Sequence, residues 1–128
     1  MDEINPAIKA ISALGWSGDA VLSDAPVRFD CHLEIGAAGE QSVDYFNLAV
    51  VNRAWARAHL DVVPETAPAW LPPRATLLLD ALSFQDLRDC VADEIAAIGP
   101  FLSWPEFAQR LQPYLRWDLE GVLYPPFG

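Results

Sequence analysis

The chain has 128 residues, 52% of them hydrophobic, with five Trp, and its 18 acidic and 8 basic side chains give a formal charge of −10. A chain of this length is one domain, 1–128, that buries about two-thirds of the surface its unfolded form would expose. The acid excess works against nucleic acid or anionic membrane as partners, favours rapid association with a basic protein, and keeps the chain soluble. The start, Met1 to Pro6, has neither a basic nor an apolar leader region, and no apolar run approaches the ~20 residues of a membrane span. The expected compartment is therefore the cytoplasm.

Ala7 to Leu14 reads as a first strand, with Ile8, Ala10, Ser12 and Leu14 on one face. A loop from Gly15 to Pro26 follows, punctuated by Gly18, Ser23 and Pro26. The clearest signal comes next: Val27, Phe29, Cys31, Leu33 and Ile35 alternate with Arg28, Asp30, His32 and Glu34. Period two over nine residues marks a strand with one buried and one wet face. Gly36-Ala37-Ala38-Gly39-Glu40 supplies a reversal, and Phe46, Leu48 and Val50 return as the inward side of a partner strand.

Asn52 is placed to cap a helix of about two turns carrying Trp55 and Leu60. The Pro-rich loop 61–74 holds Pro64, Pro68, Pro72 and Pro73, and its stretch from Val63 to Pro73 is expected to form no regular element, because each Pro removes a backbone donor. Two helix starts are well marked. Ser83 with Asp86 and Ser103 with Glu106 have capping-box spacing, and Leu82–Leu87 and Leu102–Phe107 stand at hydrophobic-staple positions. Phe84, Leu87, Val91, Ile95 and Ile98 make one stripe, ended by Gly99-Pro100. A last helix runs from Trp104 to about Gln112, and a final strand alternates Leu115, Trp117 and Leu119 with Arg116, Asp118 and Glu120. The Pro-rich tail 124–128 is expected to be flexible. The architecture these elements predict is α+β: an antiparallel sheet of about five strands with about three helices packed on one face.

The run Leu33-Glu34-Ile35-Gly36 to Gly39-Glu40, then Phe46, Leu48, Val50 and Trp55, resembles the immunity protein 8 family of bacterial polymorphic-toxin systems. The likeness continues in a short apolar strand, Thr76 to Leu79, leading into a helix, in Ser103-Trp104-Pro105-Glu106, and in Trp117, Asp118 and Leu119. It spans about Ile8 to Val122. The chain departs from the pattern at Val51-Asn52-Arg53-Ala54-Trp55, where a Thr-Pro or similar pair is usual before the basic residue and Trp, and in the longer Pro-rich segment between Asp61 and Arg74. The resemblance implies an immunity protein that forms a one-to-one complex with a cognate toxin domain, with no cofactor and no catalysis of its own. A basic nuclease is one toxin that would suit the acid excess.

The residues themselves offer little chemistry. His-Glu-x-x-His, paired Cys-x-x-Cys, Gly-rich phosphate loops and a Ser elbow are all missing from the sequence. Asp30, His32 and Glu34 share the outward face of one strand and form the alternative site, that of a small hydrolase or metal-dependent enzyme. Against it, ligands at i, i+2 and i+4 of one strand spread too far to close a tetrahedral site without a neighbouring strand. His59 sits where a helix dipole favours a cation. Cys31 and Cys90 read as small buried hydrophobes of a reducing compartment rather than a disulfide. Candidate partner-binding residues are the helix acids Asp86, Asp89, Asp93 and Glu94, the sheet acids Asp30, Glu34, Asp118 and Glu120, and the aromatics Trp70, Trp16 and Tyr45.

Overall fold

The structure, a computed structural model, describes residues 3–118. Leu119, Glu120 and the tail 124–128 lie outside the described residues. Six strands form one sheet: β1 (Pro6–Ala13), β2 (Arg28–Ala37), β3 (Asp44–Val51), β4 (Ala69–Leu71), β5 (Thr76–Leu78) and β6 (Arg116–Trp117). The order is β1-β2-β3-β5-β4, and β6 also pairs with β3. All neighbours are antiparallel except β3 and β5. Because β2 occupies one edge of β3 along its length, β5 and β6 share the other edge. β5 pairs with Ala49 to Val51, and β6 with Phe46 and Asn47.

The β2 alternation is realised in its facing, with Phe29 partly buried on the inner side and Glu34 half-buried on the outer. Cys31, Leu33 and Ile35 are completely buried, and Arg28, Asp30 and His32 are exposed. Cys31 faces Leu48 and Leu33 faces Phe46 across the β2–β3 ladder, so the inward residues of the hairpin meet in one core. Burying each such Leu or Ile stabilises the fold by about 1.5–3 kcal/mol. In the hairpin turn only Gly39 uses its freedom, at φ 84. Gly36 lies within β2, where a Cβ would strike the Ser42 carbonyl.

The face assigned to β1 needs correction. A bulge between Ile8 and Ala10 shifts the register, so that Ile8, Ile11 and Ala13 pair with Ile35, Leu33 and Cys31. These three pack on the core, and Ala10 and Ser12 face outward opposite Glu34 and His32. Leu14, beyond the strand end, is exposed. A bulge inserts one residue and so flips every side chain beyond it, which simple alternation cannot anticipate.

Three helices complete the fold: α1 (Arg53–His59), α2 (Phe84–Ile98) and α3 (Trp104–Leu111). Leu87, Val91 and Ile95 of α2 and Phe107, Ala108 and Leu111 of α3 cover the inner face of the sheet. Both starts are capped as their spacing predicts, Ser83 accepting from Asp86 N at 3.0 Å and Ser103 from Glu106 N at 3.2 Å. Leu82 and Leu87 are both buried at the first staple. At the second, Leu102 is exposed and Phe101 takes its place, its ring 4.9 Å from Phe107. Among the described residues, no helix is long and apolar enough to cross a membrane.

The helices do not all share one face. Ala56 of α1 packs with Val51, Leu71 and Leu78 in a second cluster, flanked by Trp55 and Leu60. Val51 and Leu78 are register partners on the side opposite Phe46, Leu48 and Val50. So α1 covers the outer face at the β3–β5–β4 end, and α2 and α3 cover the inner one. The Pro-rich segment also holds an element it was not expected to hold. β4 fits between Pro68 and Pro72 and, among the described residues, pairs only with β5, and on an edge strand the flanking prolines forfeit no ladder bond.

Asn52 joins these parts. Its Oδ1 accepts from Trp55 N at 3.0 Å, capping α1, and from Val27 N at 2.9 Å. Its Nδ2 donates to Ser23 O at 3.2 Å and Ala25 O at 2.8 Å. All four bonding positions of a buried amide are thereby satisfied, and the long loop before β2 is tied to the start of α1.

Candidate functional site

Two depressions concentrate the candidate residues. The first, of about 410 Å³, lies between α2, the segment before β4 and the segment after β5, and is lined by Asp80, Asp86, Asp89 and Asp93 over Ala67, Pro68, Leu79, Ala81 and Cys90. Asp86, Asp89 and Asp93 are brought together because positions three and four apart share a helix face. Asp86 in addition sits in the first turn, where the helix dipole favours a negative charge. Asp89 accepts from Gln85 Nε2 at 2.9 Å. Asp80 was not anticipated. Its only sequence signal is its place just after a buried strand, and Arg53 meets it at 3.4 Å. Glu94 does not line this cleft. It lies beside Tyr114, whose hydroxyl pKa is raised by burial first and then by the charge and hydrogen bond of Glu94.

The second depression, about 190 Å³, lies on the outer sheet face and is lined by Arg28, Asp30, His32, Asn47, Thr76 and Arg116, with Pro73 to Ala75 at its rim. Here the candidate sheet acids stand among cations rather than alone. Arg28 contacts Asp30 at 3.0 Å and lies over the Trp55 ring, 5.8 Å from its centroid. Asp118 accepts from Asn47 Nδ2 at 2.6 Å, and Asn47 Oδ1 meets His32 Nδ1. Since the carboxylate can only accept, the amide oxygen faces His32, and Nδ1 carries the proton of that bond. Asp118 and His32 are thus linked across three strands, while Glu34 stands opposite Tyr45. Asp30, His32 and Glu34 therefore turn to different partners. Among the described residues no three His, Cys, Asp or Glu side chains are grouped to hold a metal ion.

The aromatic candidates divide in the same way. Trp16 is half-buried, stacked on Phe29 at 4.3 Å and edge-on to Phe84 at 4.7 Å, with Nε1 donating to Asp19 O at 3.0 Å. Gly18, at φ 94, lets the loop pass so close that a Cβ would overlap the Phe84 ring. Trp70 is half-buried against Tyr114, 5.1 Å between rings. Tyr45 is exposed on β3 beside Asp118, whose amide donates to its carbonyl at 3.0 Å.

Both cysteines are free. Burial, with a smaller push from Asp30, raises the Cys31 thiol to about 12. Burial, then Glu94 and Asp93, raises Cys90 to about 11. Neither has the lowered pKa of a working nucleophile.

The comparisons with known proteins bear on what these surfaces serve. A family model described as Immunity protein 8 matches residues 11–122, nearly the whole chain. No curated protein and no solved structure matches it.

Proposed function

The chain belongs to the immunity protein 8 family, and from that premise we propose that it binds and neutralises a cognate toxin domain, one copy to one, without catalysis. The family match across residues 11–122 carries this reading. The acidic α2 cleft supports a toxin with a basic surface, such as a nuclease. Carboxylates at Asp80, Asp86, Asp89 and Asp93 are suited to occupy positions where such a toxin holds phosphates. The apolar floor at Pro68, Leu79 and Ala81 gives an incoming Lys or Arg stem something to pack on. Tyr45 on the sheet, and Trp16 and Trp70 where their rings reach the surface, are the apolar anchors of the proposal. The setting is the cytoplasm of the producing cell.

The test is co-expression with the toxin encoded beside this chain. Rescue of growth from that toxin and not from unrelated ones, together with a one-to-one complex by size-exclusion chromatography with light scattering, is the expected result. Absence of binding, alongside a hydrolytic activity of the purified chain, would overturn it.

A further inference from the structure

The outer-face depression has the opposite electrostatic character to the molecule that carries it. In a chain of net charge −10, three of the eight Lys and Arg residues, Arg28, Arg74 and Arg116, line a single cleft of about 190 Å³. Among the described residues the one carboxylate in its wall, Asp30, is engaged by Arg28 through Nε and Nη2 on the same oxygen, at 3.3 and 3.0 Å. Arg28 Nη1 makes no hydrogen bond among the described residues. Arg116, exposed on β6, makes no hydrogen bond or ion pair among the described residues. It is placed by the β3–β6 ladder opposite Asn47, and so beside the Asp118–Asn47–His32 chain that fixes the neighbouring wall.

Guanidinium groups are forks built for planar oxyanions, and two of them around a small cleft favour a carboxylate held by paired N–H bonds. We infer that this cleft is a carboxylate pocket, occupied by an Asp or Glu side chain of the toxin domain. The inference rests on the immunity reading for the identity of the occupant but not for the existence of the pocket. Charge complementarity selects the occupant. A chain as acidic as this one repels a free anion at long range, so a carboxylate is held here best when it is delivered by a bound partner. The cleft then reads a charge of opposite sign from the one the rest of the surface attracts, which makes the contact specific.

The pocket is tested first on the chain alone, by titrating the ¹⁵N-labelled protein with sodium acetate against sodium chloride at constant ionic strength. The expected result is saturable shifts at His32, Asn47, Thr76 and the Arg116 side chain. Arg116→Gln should weaken them about tenfold or more, and Arg57→Gln, on the exposed side of α1, should leave them unchanged. Shifts that never saturate, or that both variants affect equally, overturn the pocket and leave the immunity reading standing. In the second arm, dissociation of the toxin complex is measured for Arg116→Glu and Arg57→Glu. Faster dissociation confined to Arg116→Glu supports the carboxylate occupant. Acetate binding with an unchanged toxin complex overturns that occupant, and a chain that binds acetate but no toxin removes the immunity reading and the occupant together.

Discussion

Replacing Asn52 by Ala should cost far more than the loss of an ordinary helix cap. The Trp55 N–H loses its cap, worth about 1 kcal/mol. The Val27 N–H, half-buried just before β2, loses the one acceptor it has among the described residues, which adds about 1–3 kcal/mol for an unsatisfied donor. The Ser23 and Ala25 carbonyls belong to exposed residues and return to water at little cost. The sum is about 2–4 kcal/mol, most of it from the long-range bond rather than the cap. Asn52→Asp separates the two contributions. It keeps both acceptor bonds and sets a negative charge at the α1 N-terminus, but it turns a carboxylate toward two carbonyls. It should fall between the parent and Asn52→Ala. Urea denaturation with an unchanged m-value measures the cost, and amide exchange at Val27 and Trp55 locates it. A cost for Asn52→Ala below about 1 kcal/mol, or fast exchange at Trp55 with Val27 still protected, would refute the view that one amide ties loop to helix.

The inward and outward faces of the hairpin should respond very differently to charge. Leu48→Asp buries an unpaired carboxylate and should cost about 4 kcal/mol or more, whereas Asp30→Asn breaks only an exposed pair with Arg28 and should cost under about 1 kcal/mol, both read by denaturant unfolding. Reversing Asp86, Asp89 and Asp93 to Lys should slow toxin association several-fold at low salt, and the difference should shrink as added salt shortens the screening length; stopped-flow mixing checks both. Reversing Asp30 and Asp118 should do less, because their neighbours Arg28 and Asn47 already engage them. The two thiols set a pH dependence. Their folded values, about 12 and 11, lie above the ordinary 9.0, so the folded state holds these protons more tightly than the unfolded state. Their contribution is complete below about pH 9 and is lost as pH rises through 11 and 12, so the urea midpoint should fall between pH 8 and 10.5 and fall less in Cys31→Ala/Cys90→Ala.

What the sequence made legible was mostly local. The β2 alternation, the Asn52, Ser83 and Ser103 caps and the α2 stripe each depend on residues within a few positions of one another, and each stands as read. Long-range placement was harder. The Lys9 bulge depends on how β1 meets β2, and nothing in Ala7 to Leu14 announces an inserted residue. Leu102 has the right spacing for a staple, but the turn at Gly99-Pro100 presents Phe101 instead. β4 hides among prolines, because an edge strand needs ladder bonds on one side only. The two charged clefts show the same limit. Asp86, Asp89 and Asp93 could be grouped by helical spacing, but Asp80 joins them only through the fold. The sheet acids Asp30, Glu34 and Asp118 could be named from alternation, but not that Arg74 and Arg116 would meet Arg28 beside them, which depends on how β5 and β6 sit against β3.

The bulge at Lys9 also bears on what the chain can do with its edges. β1 is one end of the sheet, and an open strand edge invites another chain to pair with it. Here the ladder is kinked in mid-strand and an exposed Lys occupies the irregularity, so a straight strand laid alongside would meet a broken row of donors and acceptors and a charge. The opposite end is β4, only three residues long between two prolines. Among the described residues both margins are thus poor templates for a passing strand, a feature that works against joining copies of the chain into fibres. It also favours capture of a partner through the side-chain surfaces of the two faces, where charge and shape discriminate, over backbone pairing, which would accept almost any sequence.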